Sequence, residues 1–316
     1  MAVKAENSLA PIAYVDARLL DPASGLDKLG GVLTEGEVIS DFGPHLANKD
    51  LAKKKDAPKD IQVVDCKGKC LCPGLGDMRI EIGDLAATVA AAVSGGVTSA
   101  VCLPNTDPVI DDMSVVEFVA RRARKQGLAK IYPYGAVTKG LEGEELAELG
   151  LLAESGAVAF SDGTMAVADA QVMRRALSYA STFGLMIVQH PEEPSLAADG
   201  VMNAGEVATR LGLLGIPEEA EVIMIERDLR LAGLTGGRLH IAHVSTGAGI
   251  DAIRRAKAGG LNVTCDTAPP YFALNEAAIG DYRTFAKLSP PLRDEDARQA
   301  VVEGLKDGTK IGRAHV

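Results

Sequence analysis

Pro73-Gly74-Leu75-Gly76-Asp77-Met78-Arg79-Ile80-Glu81 divides the chain into two textures. Before it, from Ile12 to Val64, short apolar pieces such as Ile12-Ala13-Tyr14-Val15 and Gly31-Val32-Leu33 are separated by Asp, Gly and Pro. That spacing predicts a small antiparallel sheet. After it, strand-like runs alternate with amphipathic helical ones, the pattern of βαβ units around a parallel sheet. The predicted strands are Leu75–Glu81, Ser99–Leu103, Ile131–Val137, Ala157–Ser161, Leu185–Gln189, Arg238–Val244 and Leu261–Asp266. The predicted helices are Leu85–Ser94, Ser114–Gln126, Glu144–Ala153, Ala168–Thr182, Glu219–Ala232 and Gly249–Ala258. Most are closed by a glycine (95, 127, 156, 184, 233 or 259), the residue that a left-handed C-cap favours.

Seven strand–helix units predict a (β/α)8 TIM barrel, truncated before strand 8. Residues 1–72 are expected to form the N-terminal part of a small β-sandwich domain and residues 73–310 the incomplete barrel. A doubly wound sheet is the alternative, but no Gly-rich dinucleotide loop follows the first strand. Residues 1–10 read as a loose start and 48–60 as a charged, solvated loop. Ile311-Gly312-Arg313-Ala314-His315-Val316 matches a reading frame through a sequencing-library adapter, so 311–316 is expected to be a non-native tail. His315 is therefore left out of the candidate site.

Of the 316 residues, 47% are hydrophobic, only 4% are aromatic and none is Trp, so the expected core is large and aliphatic. A net charge of −10 argues against nucleic acid and anionic membrane as partners. No apolar run reaches membrane-spanning length and no signal pattern opens the chain, which predicts a cytoplasmic protein. The five cysteines form no disulfide framework. Cys66, Cys70 and Cys72 lack a CxxC knuckle and a nearby His; strand alternation would put Cys70 and Cys72 on one face as small hydrophobes rather than zinc ligands.

Reacting groups of a (β/α) barrel sit at the C-terminal ends of its strands. Asp162 ends the fourth predicted strand, His190 the fifth, and His243 the sixth. One carboxylate and two imidazoles from successive strands make a plausible set for a divalent metal. The first strand ends differently. Arg79 and Glu81, two apart in a strand, would share one side and can pair as a guanidinium–carboxylate fork, whereas two His there would clip a metal. Arg79 binds no cation and repels one. Glu192 and Glu193 read as a solvated loop and Lys139 as a surface residue. The basic end of the helix 114–126 complements its own dipole.

Pro73-Gly74-Leu75-Gly76-Asp77-Met78, Gly95-Gly96-Val97-Thr98, Leu103-Pro104-Asn105-Thr106, His190-Pro191-Glu192-Glu193, Gly200-Val201-Met202-Asn203, His243-Val244-Ser245-Thr246 and Lys287-Leu288-Ser289-Pro290-Pro291-Leu292-Arg293 follow in this order. Together, over about residues 12–309, they resemble the bacterial dihydroorotases of the cyclic amidohydrolase superfamily. The resemblance implies metal-dependent closure of carbamoyl aspartate to dihydroorotate in pyrimidine biosynthesis. It assigns Asp162, His190 and His243 to the metal and Asn105 to the substrate. It also marks departures: Arg79 and Glu81 replace a His-x-His pair, and Gly83 replaces a carboxylate-binding Arg. Thr267-Ala268-Pro269-Pro270-Tyr271 lacks the usual paired His, and the strand-eight Asp that serves as general base is expected beyond the break that follows Gly304–Gly308.

Without a metal to lower the pKa of water from about 15.7 to about 7, a cyclic amide meets no activated nucleophile. Losing the bidentate Arg removes roughly 1.5–3 kcal/mol of substrate binding. The chain as given is expected to be inactive, with Arg79–Glu81 a salt bridge filling the former metal pocket. Two functions follow. In the first, the protein is a catalytically degenerate dihydroorotase homologue that acts structurally, as such relatives do when partnering aspartate carbamoyltransferase. In the second, it is an active dihydroorotase, or a hydantoinase- or allantoinase-like enzyme on a small cyclic amide, with Glu81 joining Asp162, His190 and His243 around one zinc ion.

Overall fold

The computed structural model describes residues 10–48 and 60–309 and the backbone of 311–312. The loose start at 1–9, the core of the charged loop at 49–59, and 313–316 with His315 lie outside the described residues. The chain divides into two units, Met1–Gly74 and Leu75–Val316.

The first unit is a five-stranded sheet. Strand β1 (Ile12–Asp21) pairs antiparallel with β2 (Leu26–Glu35), and β2 pairs antiparallel with β3 (Val38–Gly43). Ala13, Val15, Ala17 and Leu19 alternate inward from β1, which gives the sheet its core. Here the expectation of a purely antiparallel sheet is corrected. Strands β4 (Gln62–Asp65) and β5 (Cys70–Leu71) run parallel to β1, a pairing that no tight hairpin can make. This is the one sheet among the unit's described residues, so they supply no second sandwich layer. Cys70 and Cys72 are exposed rather than packed inward, since β5 is only a two-residue edge.

In the second unit the parallel strands follow one another in chain order. β6 (Leu75–Ile80) pairs with β7 (Val97–Cys102), and β7 with β8 (Lys130–Pro133). The expected fourth strand contracts to Phe160, which bridges Gly135 on one side and Ile187 of β9 (Met186–Gln189) on the other. A short parallel pair, β10 (Met202–Asn203) and β11 (Gly215–Ile216), stands apart. The series continues through β12 (Arg238–Ile241) and β13 (Val263–Thr267) to β14 (Ile311–Gly312).

The expectation that the eighth position is empty is therefore corrected: Ile311 and Gly312 pair in parallel with Asp266 and Thr267. An edge strand offers unpaired N–H and C=O groups to any extended segment, whatever its side chains.

The helices between these strands are α1 (Leu85–Ser94), α2 (Met113–Gln126), α3 (Leu149–Glu154) and α4 (Ala170–Thr182). After β9 come α5 (Pro194–Ala197), α6 (Glu206–Leu211) and α7 (Glu219–Thr235). The last are α8 (Gly247–Ala258), α9 (Pro269–Ala273) and α10 (Glu295–Lys306). Asp84, Asp112, Asp169, Thr246 and Asp294 cap five of them by accepting a backbone N–H. Gly233 lies inside α7; the left-handed cap is Gly236 (φ 68°). The aliphatic core expected from composition fills the barrel around Phe160, Ile187, Leu239, Ile241 and Cys265.

Candidate functional site

The ends of β6, the fourth bridge, β9, β12 and β13 bring Arg79, Gly163, His190, His243 and Thr267 to one end of the barrel. Arg79 is buried, and its Nη2 donates to the Gly163 carbonyl at 2.7 Å. The predicted Arg79–Glu81 salt bridge does not form. Strand β6 ends at Ile80, so the alternation that would carry Glu81 inward lapses and its carboxylate stays exposed to water. Gly163 sits at φ +69°, and a Cβ there would lie 3.3 Å from the Asn105 side chain. Asn105 therefore flanks the same turn that Arg79 holds, and it lines a cleft of about 390 Å³ together with Gly83.

Asp162 is buried beside this turn, but its carboxylate faces the third strand. It accepts from the backbone N–H of Val137 and Thr138, both at 2.9 Å, and from Thr138 Oγ1 at 2.5 Å. Burial pushes its pKa up, while those hydrogen bonds oppose the shift.

His190 and His243 meet edge to face, with ring centroids 6.0 Å apart. His190 Nε2 contacts Ser289 Oγ at 3.1 Å, and its Nδ1 is buried without a hydrogen-bond partner. Burial first, and then the Arg79 charge, push His190 down to about 3, so the ring is neutral. His243 adopts a left-handed backbone (φ 53°), and its N–H donates to Asp266 Oδ1 at 2.6 Å. His240 Nε2 lies 3.4 Å from the other Asp266 oxygen. Burial would raise the Asp266 pKa, but His240 and then His243 outweigh it and hold the carboxyl well below the usual range.

Among the described residues, no group of three or more His, Cys, Asp or Glu is arranged to hold a metal ion. Asp162 is turned to Val137 and Thr138, Asp266 accepts from the His243 backbone N–H with the His240 and His243 rings 3.4 and 3.6 Å from its carboxylate, and a guanidinium occupies the first-strand position. These residues do not fit the zinc that the resemblance implies.

A second departure has also become structural. Tyr271, where paired His was the expected pattern, is buried and donates its hydroxyl to the Pro290 carbonyl at 2.9 Å. Tyr271→Phe is expected to lower stability by about 1 kcal/mol, the net value of one such bond, read from the midpoint of urea unfolding.

Beside the two histidines lies a buried polar network that the sequence patterns do not announce. Glu221 of α7 accepts from Ser245 and Thr246, both backbone and hydroxyl. Arg293 donates to Ser245 Oγ at 3.1 Å and to Asn203 Oδ1 at 3.0 Å, and its Nη2 lies 4.0 Å from Glu221. Three of the stretches that carry the resemblance, 200–203, 243–246 and 287–293, thus converge on one cluster. The available signal was the position of Glu221 on the buried stripe of α7 with Met224, Ile225 and Asp228.

The family model described as "Dihydro-orotase-like" matches residues 68–248, which spans the strand ends from Arg79 to His243. Dihydroorotase from Syntrophotalea carbinolica is 44% identical over 306 residues, covering 94% of this chain and 70% of that protein. Dihydroorotase from Geobacter sulfurreducens is 44% identical over 300 residues, covering 92% and 68%. Among solved structures, the L-hydantoinase (dihydropyrimidinase) from Arthrobacter aurescens superposes with a TM-score of 0.78 at 20% identity, over 96% of this chain and 68% of that one. That likeness speaks for the barrel fold alone. With the family match running across the strand ends and relatives of this identity spanning nearly the whole chain, the protein belongs to the dihydro-orotase-like family.

Proposed function

We propose that this protein keeps the dihydro-orotase-like barrel as a scaffold, does not itself interconvert carbamoyl aspartate and dihydroorotate, and serves as a non-catalytic partner of aspartate carbamoyltransferase. One observation carries the loss of chemistry: the buried Arg79 guanidinium, bonded to Gly163, stands where the first pair of metal ligands is expected. A fixed cation there disfavours a second one, and the neutral His190 ring, whose pKa is pushed down to about 3, is no base strong enough to ionise water unaided. A partnering role asks only for the fold and its surface, so it tolerates these replacements.

Purified protein is expected to hold no stoichiometric zinc, to give no dihydroorotate hydrolysis above the blank with zinc added, and to co-purify with the carbamoyltransferase. A monomer that ignores that enzyme would remove the partner role. A second reading rests on the His190–His243 pair and on the relatives named dihydroorotase: an active cyclic amidohydrolase with one ion on that pair. Turnover abolished by His243→Ala would establish it and end the first.

A further inference from the structure

We infer that Arg293 is a positioning residue for the His190–His243 pair, acting through Ser289 and Ser245; this holds under either reading of function. Ser289 supplies the one hydrogen bond to the His190 ring among the described residues, since Nδ1 has none. The hydroxyl therefore sets which way the ring faces and which nitrogen carries its proton. Yet Ser289 itself is exposed, and it lies on a segment, 287–293, without helix or strand. Ser289 Oγ also lies 3.4 Å from both Glu192 carboxylate oxygens, Tyr271 holds the Pro290 carbonyl, and Arg293 anchors the far end of the segment.

The Arg293 guanidinium is 5% exposed and reaches three places at once: Ser245 Oγ, Asn203 Oδ1 and the Ile216 carbonyl. Asn203 Nδ2 donates to Glu276, whose own N–H donates back to the Arg293 carbonyl at 2.8 Å, closing a ring of hydrogen bonds. Ser245 follows His243 by two residues. One planar fork thus ties the segment that holds His190 to the segment that carries His243. Only guanidinium geometry serves several acceptors in fixed directions; an ammonium at this site would satisfy one or two.

The test is nitrogen NMR of the imidazole rings in 15N-histidine-labelled full-length protein, with His190→Gln assigning the His190 signals. Ser289→Ala should move the His190 nitrogen signals directly. Arg293→Met should move them in the same direction and broaden them, and Arg293→Lys should restore them in part. His45 on the first unit and His240, bonded to Thr264 at 2.7 Å, should stay in place as internal references. Should Arg293→Met fail to fold, Asn203→Ala breaks the same ring while sparing the Arg293–Ser245 bond, and should give a smaller shift of the same sign. His190 signals unmoved in the folded Arg293 or Asn203 variants would overturn the inference. So would equal movement of His190 and His240, which marks general loosening rather than positioning.

Discussion

Glu221→Ala is expected to lower the unfolding free energy of the barrel by roughly 3–5 kcal/mol, the range for breaking one side of a buried charged pair. Glu221 is 1% exposed, so its carboxylate has exchanged water for protein donors. Those donors are the backbone N–H groups of Ser245 and Thr246, at 2.9 to 3.1 Å, and their hydroxyls at 2.5 and 2.7 Å. They lie at the start of α8, where Thr246 is the N-cap, so the carboxylate also sits at the positive end of a helix dipole. Gly249 makes room: a Cβ there would approach Thr246 Oγ1 to 2.7 Å and Glu221 Oε1 to 3.2 Å.

Alanine leaves two buried N–H groups without an acceptor and Arg293 without its carboxylate, each orphaned donor costing about 1–3 kcal/mol. For a domain of this size the thermal midpoint should fall by about 10 °C. Glu221→Gln should also destabilise, because its amide NH2 would face donors rather than acceptors. A loss under about 1 kcal/mol for the alanine variant would show that water replaces the carboxylate, and would sink this account.

How much of this was legible in the sequence differs from element to element. Local signals were good: α1 begins and ends at Leu85 and Ser94 as predicted, because Asp84 caps it and glycines follow it. The first unit was harder, since parallel pairing of β4 and β5 depends on a crossover that no local pattern encodes. Arg79–Glu81 failed for a similar reason. Strand alternation predicts a shared face only while the strand lasts, and β6 stops one residue short. The partner that Arg79 found, the Gly163 carbonyl, is 84 residues away and carries no side-chain signature. Asp266 was hidden in another way. Its binding to His240 and His243 follows from the β12–β13 register, which pairs His240 with Thr264, and register is a tertiary quantity. Glu221 and Asp228 were not read as buried, and the one trace they leave is positional: two acids on the apolar stripe of α7.

Asp228→Asn is expected to make the protein more stable relative to the parent as pH rises, by up to roughly 3 kcal/mol between pH 4 and pH 7. Asp228 is fully buried, with Oδ2 lacking a hydrogen-bond partner. Burial raises its pKa from 3.8 to about 6, although the Arg227 charge and hydrogen bond and the Gln189 amide pull the other way. The guanidinium Nε donates to Asp228 at 2.8 Å and Nη2 lies 2.7 Å from the same oxygen, while the two terminal nitrogens also donate to the Ala168 and Val167 carbonyls of the loop after the fourth bridge.

A raised folded-state pKa means that the native state binds the proton more tightly than the unfolded chain. This contribution is therefore fully present below about pH 4 and is lost as pH rises through about 6. Asparagine keeps an acceptor for Arg227 and never ionises, so it lacks that loss. The measurement is urea unfolding of parent and variant at several pH values, read as the difference between them so that all other titrating groups cancel. A difference that rises through pH 4–6 and then levels off is the expected curve. A flat difference, or one that falls with pH, would mean that the Arg227 pairing outweighs burial and that Asp228 is ionised throughout.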